Sequence, residues 1–141
     1  MLKERISNIL LYLLIFIGIL SMILIKPAGD LDELWNYNFA RNIAYGLVPY
    51  RDFNMVITPL LSIVCGIVLK ITVNELIIMR ILAAILCTGI FYATYKLFRL
   101  LNIRQEIGIL FTFIIAYLFR ELLCIDYNYA TLFLILIIIF K

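Results

Sequence analysis

The chain has 141 residues, 66% of them hydrophobic and 15% charged, with a net charge of +3. A soluble domain is roughly half apolar and a quarter charged, so this composition excludes a small water-soluble globule and requires lipid as the solvent. Lys and Arg are scattered without a basic run, which excludes a nucleic-acid footprint, and the absence of histidine excludes His-based triads, most zinc sites and imidazole acid–base chemistry.

A short polar start carries Lys3, Glu4 and Arg5, and the uncharged run that follows predicts a first membrane span over residues 7–25. A signal peptide shares the basic start and apolar core. No small-x-small cleavage site precedes Lys26-Pro27, however, and more apolar runs follow, so an uncleaved helix is the better reading. Lys26, Pro27 and Gly29 end it, because proline cannot continue a helix and glycine favours a turn.

The polar loop 26–54 comes next and holds Asp30, Asp32, Glu33 and Asp52 with Arg41 and Arg51 among them. Asp30 can cap a helix, with Glu33 three residues on as an acidic capping-box partner. Leu34, Trp35, Phe39 and Ile43 then fall at helical spacing, with Tyr37, Asn38, Arg41 and Tyr45 on the opposite face. Gly46 closes the helix and Pro49 blocks its extension. An amphipathic helix with Trp and several Tyr belongs in the plane of the membrane–water boundary, where these aromatics serve as anchors.

The later apolar runs predict spans over residues 55–73, 76–98, 107–119 and 128–140. Pro59 suits the first turn of the second, and Arg80 is close enough to the start of the third to snorkel to the interface. Cys65, Cys87 and Cys124 sit apart among apolar neighbours, as small residues in membrane helices do. The last two spans are short, which is the pattern of a piece of a longer protein. The expected fold is an all-α integral membrane bundle of four or five transmembrane helices, one domain over 1–141, with an interfacial helix in the first external loop.

The acids of the loop read in two ways. Carboxylates at a helix N-terminus complement its dipole, and Arg51-Asp52 reads as a solvated turn pair. Charged groups gathered in one loop between spans also mark a place for chemistry, since they are too costly within the hydrocarbon.

The ordered set Asp32-Glu33, Ala40-Arg41, Gly46-Leu47-Val48-Pro49-Tyr50 and Thr58-Pro59-Leu60 resembles the first external loop of the C-type (GT-C) membrane glycosyltransferases. That superfamily includes the protein mannosyltransferases and the aminoarabinose transferases of lipid A. The run Pro49-Tyr50-Arg51-Asp52-Phe53 and the later Asp126-Tyr127-Asn128 are most similar to its bacterial RgtA/B/C/D-like group. One departure stands out: where the aminoarabinose transferases carry a Glu-Lys pair before a double proline, this chain has Val56-Ile57-Thr58-Pro59.

The resemblance implies the N-terminal part of a glycosyltransferase in a bacterial cell membrane. It would move a sugar from a polyprenyl-phosphate donor to an acceptor glycan, lipid or protein outside the cytoplasm. Asp32 is implied as the catalytic base; Glu33 beside it can support Asp32, bind a divalent cation or only cap the helix, and capping is the favoured reading. The chemistry is coherent, because deprotonating a hydroxyl takes one carboxylate within hydrogen-bond reach. The departing polyprenyl phosphate needs positive charge nearby, for which Arg41 and Arg51 are the candidates. A non-catalytic accessory or scaffold protein of the membrane is the alternative. Orientation is contested: with the N-terminus in the cytoplasm and five spans, Lys26, Arg41, Arg51, Lys96, Arg99 and Arg104 face outward, and the positive-inside rule favours the inverse.

Overall fold

A computed structural model describes residues 2–27 and 31–140, with only the backbone for residues 2–5. Within these the chain is all-α: α1 Leu2–Ile25, α2 Leu31–Ala44, α3 Leu60–Ile71, α4 Leu76–Leu100, α5 Gln105–Leu118 and α6 Tyr127–Ile139, with one 3-10 turn at Arg120–Leu122 between the last two. The expected cap at Asp30 lies outside the described residues. No strand forms among the described residues.

Among the described residues, α1 and α4 are the two helices long and apolar enough to cross a membrane. At 1.5 Å per residue each is more than 35 Å long, roughly a hydrocarbon thickness and a little more. α1 buries Leu11, Ile15, Ile19 and Ile23, one residue per turn, and leaves Ile9, Leu10, Leu13 and Ile17 exposed on the other side. α4 is the central helix. Its buried residues include Ala83, Ala84, Cys87 and Thr88, whose small side chains let α1, α5 and α6 approach closely.

Ring and glycine contacts fix the directions. Tyr12 of α1 meets Tyr92 of α4 edge to face at 5.4 Å, while Gly18 of α1 lies against Phe113 of α5. Lys26, just past α1, donates to the backbone carbonyl of Glu121 just past α5, so these two helices run parallel. Gly108 near the start of α5 packs on Tyr95 and Phe98 near the end of α4, which makes that pair antiparallel. The end of α1 and the start of α4 therefore lie at the same end of the bundle. α6 runs down α4 with Phe133 against Gly89.

α2 and α3 form an antiparallel hairpin between these two ends. Residues 55–73, expected as a second span, are helical only over Leu60–Ile71, a length of about 18 Å. That is well short of the roughly 30 Å hydrocarbon core. Residues 55–59 precede it as bends and irregular chain. Its buried face is Ser62, Cys65, Gly66 and Leu69, which pack on α2, and its other face leaves Val64, Ile67 and Ile71 exposed.

The hairpin is closed at Gly66, where an added Cβ would stand 2.9 Å from the Ala40 carbonyl oxygen and 2.8 Å from the Ile43 side chain. Alanine there gains about 0.5–1 kcal/mol of helix propensity, but backbone cannot yield as a side chain can, and overpacking costs about 1–3 kcal/mol. Gly66→Ala is expected to lower stability by about 1 kcal/mol on balance. Detergent-denaturant unfolding followed through Trp35, the one tryptophan of the chain, measures this.

Candidate functional site

The polar residues of α2 divide at its first turn. Asp32 is exposed, whereas Glu33 is buried at 2% exposure. Arg80 of α4 donates from Nε to Glu33 Oε1 at 2.8 Å and from Nη2 to Oε2 at 3.0 Å. Both carboxylate oxygens are thus engaged by one planar guanidinium, the geometry at which Arg surpasses Lys. Arg80, expected to reach for the interface, instead turns to α2. The metal-binding role considered for Glu33 has no support in this geometry, and no group of three or more His, Cys, Asp or Glu gathers among the described residues.

Two further contacts hold the same junction. Asn36, one turn on from Asp32, is buried and donates from Nδ2 to the Asp32 carbonyl at 2.8 Å. Tyr37 donates its hydroxyl to the Asn74 carbonyl at 3.1 Å, which ties α2 to the connection between α3 and α4. The amide oxygens of Asn36 and Asn74 are buried there with no partner among the described residues. Sequence spacing brought forward neither Arg80 as the partner of Glu33 nor Asn74 as that of Tyr37, because these contacts bridge 47 and 37 positions. Asn36 lies only four positions from Asp32, a local helical spacing.

The loop after α2 is a compact turn. Gly46 takes φ +89° and Tyr50 takes φ +65°, a left-handed conformation uncommon for a bulky residue. Asp52 stabilises it by accepting from the Val48 backbone N–H at 2.8 Å and from Arg51 at 2.9 and 2.8 Å. The Tyr50 hydroxyl donates to the Ile57 carbonyl at 2.7 Å, and Phe53 stacks on Phe39 of α2 at 6.0 Å. Pro49 pairs with Phe53 across the turn, and Pro59 stands immediately before the first turn of α3. The motif residues Pro49, Tyr50, Asp52 and Pro59 therefore shape the loop.

The two expected phosphate-binding arginines are both engaged. Arg51 is paired with Asp52, and Arg41 lies over the Tyr45 ring at 5.5 Å, some nine residues along α2 from Asp32. The Arg51 guanidinium and the Val48 N–H hold the Asp52 carboxyl down at about 2. A depressed folded-state value stabilises the turn above the ordinary carboxylate range, and that contribution is lost as pH falls through about 2. The turn is expected to keep its form from pH 8 to pH 4, with Asp52 titrating near 2 in a carboxyl-detected NMR titration. Asp52→Asn would remove this behaviour.

Asp32, Glu33 and Arg80 are thus brought together at the junction of α2 and α4. Arg41, Arg51 and Asp52 are held apart from it along the hairpin. Comparison with family models, with curated proteins and with solved structures finds no match for this chain.

Proposed function

We propose that this chain is the N-terminal part of a C-type membrane glycosyltransferase, with Asp32 as the base that activates an acceptor hydroxyl for a sugar carried on a polyprenyl phosphate. One observation carries the reading. Of two adjacent acids, Glu33 is buried and clamped by Arg80, and this presents Asp32 on an exposed, anchored turn. A base must be held within hydrogen-bond reach of the proton it takes, and a fixed helix terminus supplies such a support.

The same reading makes α1 and α4 membrane spans and residues 26–75 one unit outside the cytoplasm, with α5 and α6 completing the bundle. α3 then dips against the membrane without crossing it, because the Tyr37–Asn74 contact returns the hairpin to the end of the bundle where α1 stops and α4 begins. Length does not decide this, since α5 and α6 are nearly as short. Lys3, Arg5, Lys96, Arg99 and Arg104 then fall on the cytoplasmic side, and Lys26, Arg41, Arg51, Lys70, Arg80 and Arg120 outside. Six against five is the same thin margin against the positive-inside rule as before. Three of the outer cations, Arg51, Arg80 and Arg120, are already paired with acids. The exposed apolar faces of α1 and α6 support the same placement, since such surface is stable in lipid and not in water.

Membranes containing the complete enzyme, supplied with a panel of radiolabelled polyprenyl-phosphate sugars, test the activity. Label should leave at least one donor in a manner abolished by Asp32→Asn. Loss of label that is unchanged in that variant would contradict the proposal.

A further inference from the structure

At the Asp32 end of the bundle, a cleft of about 370 Å³ opens between the last turn of α1 and the 3-10 turn. Met22 and Ile25 form its apolar wall, and Lys26, Tyr117, Arg120 and Glu121 its polar one. We propose that this cleft binds the phosphate of a lipid, with Lys26 and Arg120 as its cationic partners and the Met22–Ile25 wall against the lipid chain.

The two cations come from positions 94 residues apart and are held in place by backbone. Lys26 donates to the Glu121 carbonyl, and Arg120 donates from Nη1 to the Tyr117 carbonyl at 3.3 Å. The Arg120 guanidinium also lies over the Tyr117 ring at 4.5 Å, which fixes its plane. Its carboxylate partner is Glu121, at 3.1 Å from Nε, and that side chain is 68% exposed. An exposed ion pair of this kind contributes little, so a phosphate can take the place of the carboxylate on Arg120. Guanidinium and phosphate match as a two-point pair, and the Lys26 ammonium adds a second charge.

Location favours a lipid as the carrier. Ile25 is the last residue of a helix long enough to cross a membrane, and it is 84% exposed. A cleft at that level meets the headgroup layer. Asp32 is six residues from Lys26, so at most about 20 Å of extended chain separates the cleft from the proposed base. Arg41 and Arg51 lie apart along the hairpin, whereas Lys26 and Arg120 converge on one cleft, which makes the cleft the better phosphate site. The inference rests on the membrane placement of α1 proposed above and is independent of what Asp32 does.

The test is direct binding to the full chain in zwitterionic phosphatidylcholine nanodiscs. Undecaprenyl phosphate and dioleoyl phosphatidic acid are the probes, with undecaprenol and inorganic phosphate as comparisons. Binding of either lipid phosphate well above both comparisons is expected. Arg120→Gln and Lys26→Gln should each weaken it about tenfold. Glu121→Gln should strengthen it, because the competing carboxylate is gone, and this variant guards against loss of folding in the other two. Arg99→Gln, at the opposite end of the bundle, should change nothing. Unaltered binding in the Lys26→Gln, Arg120→Gln double variant, weaker binding in Glu121→Gln, or inorganic phosphate binding as well as the lipids would overturn the proposal. Binding that survives while sugar transfer is never found would leave this site standing and refute only the role of Asp32.

Discussion

Asp32→Asn is expected to lower sugar transfer by the complete enzyme on the order of 10²–10⁴-fold, with expression and membrane insertion unchanged. Asparagine keeps the size and hydrogen-bonding capacity of aspartate but cannot accept a proton. The Asp32 backbone carbonyl, which accepts from Asn36, is the same in both, so the turn itself should survive. Asp30→Asn supplies the contrast, because asparagine caps a helix about as well as aspartate. A purely structural acid cluster would give small and similar effects at both positions. Equal transfer by the two variants, measured with the same labelled donor, would remove Asp32 from the mechanism.

The largest effect on stability is expected at the Glu33–Arg80 pair. Both side chains are largely withdrawn from solvent, at 3% and 11% exposure. Removing one partner from a buried pair strands the other charge and costs about 3–5 kcal/mol. Arg80→Met should therefore loosen α2 from the bundle, seen as a large shift in Trp35 unfolding and easier quenching of its emission by iodide. Trp35 sits only two residues from Glu33 and is itself 58% exposed, which makes it a local reporter. The double change Glu33→Leu with Arg80→Met should recover much of the loss, since a buried pair exchanged for apolar groups is often near neutral. If Arg80→Met alone had no effect on unfolding, the ion pair would not be what anchors the turn.

Much of the helical framework was legible because its signals are local. The helix expected near Leu31 to Tyr45 is α2 at Leu31–Ala44, with Asp32 and Glu33 in its first turn and Gly46 after it. The run expected at 76–98 is α4 at Leu76–Leu100. The run at 55–73 is helical only over Leu60–Ile71, and hydropathy does not show this because it sums a helix over all its faces. In α3 the decisive information is one-sided, with Ser62, Cys65 and Gly66 buried against α2 and a 12-residue length set by Pro59 at one end and Thr72 to Glu75 at the other. The stripe of small residues Ser62, Cys65 and Gly66 is a local sign of close packing that hydropathy does not register.

The acid pair was legible as a feature but its division of labour was not. Nothing local tells Asp32 from Glu33, and only the approach of Arg80 from α4 separates them. The same holds for the arginines. Arg51 next to Asp52 was readable as a turn pair from adjacency, whereas the meeting of Lys26 with the segment around Arg120 depends on α1 and α5 lying side by side.

The most direct test of the outward-facing site is cysteine labelling in intact cells. Cys65, Cys87 and Cys124 are buried, so they can be replaced by alanine, and single cysteines then introduced at Asn54, Val73 and Glu106. With residues 26–75 forming one unit outside the cytoplasm, a membrane-impermeant maleimide should label Asn54→Cys and Val73→Cys without permeabilisation, and Glu106→Cys only after it. Val73→Cys protected until the membrane is opened, with Asn54→Cys labelled from outside, would mean that α3 crosses the bilayer and would contradict the arrangement that sets Asp32 and Arg80 together on one side.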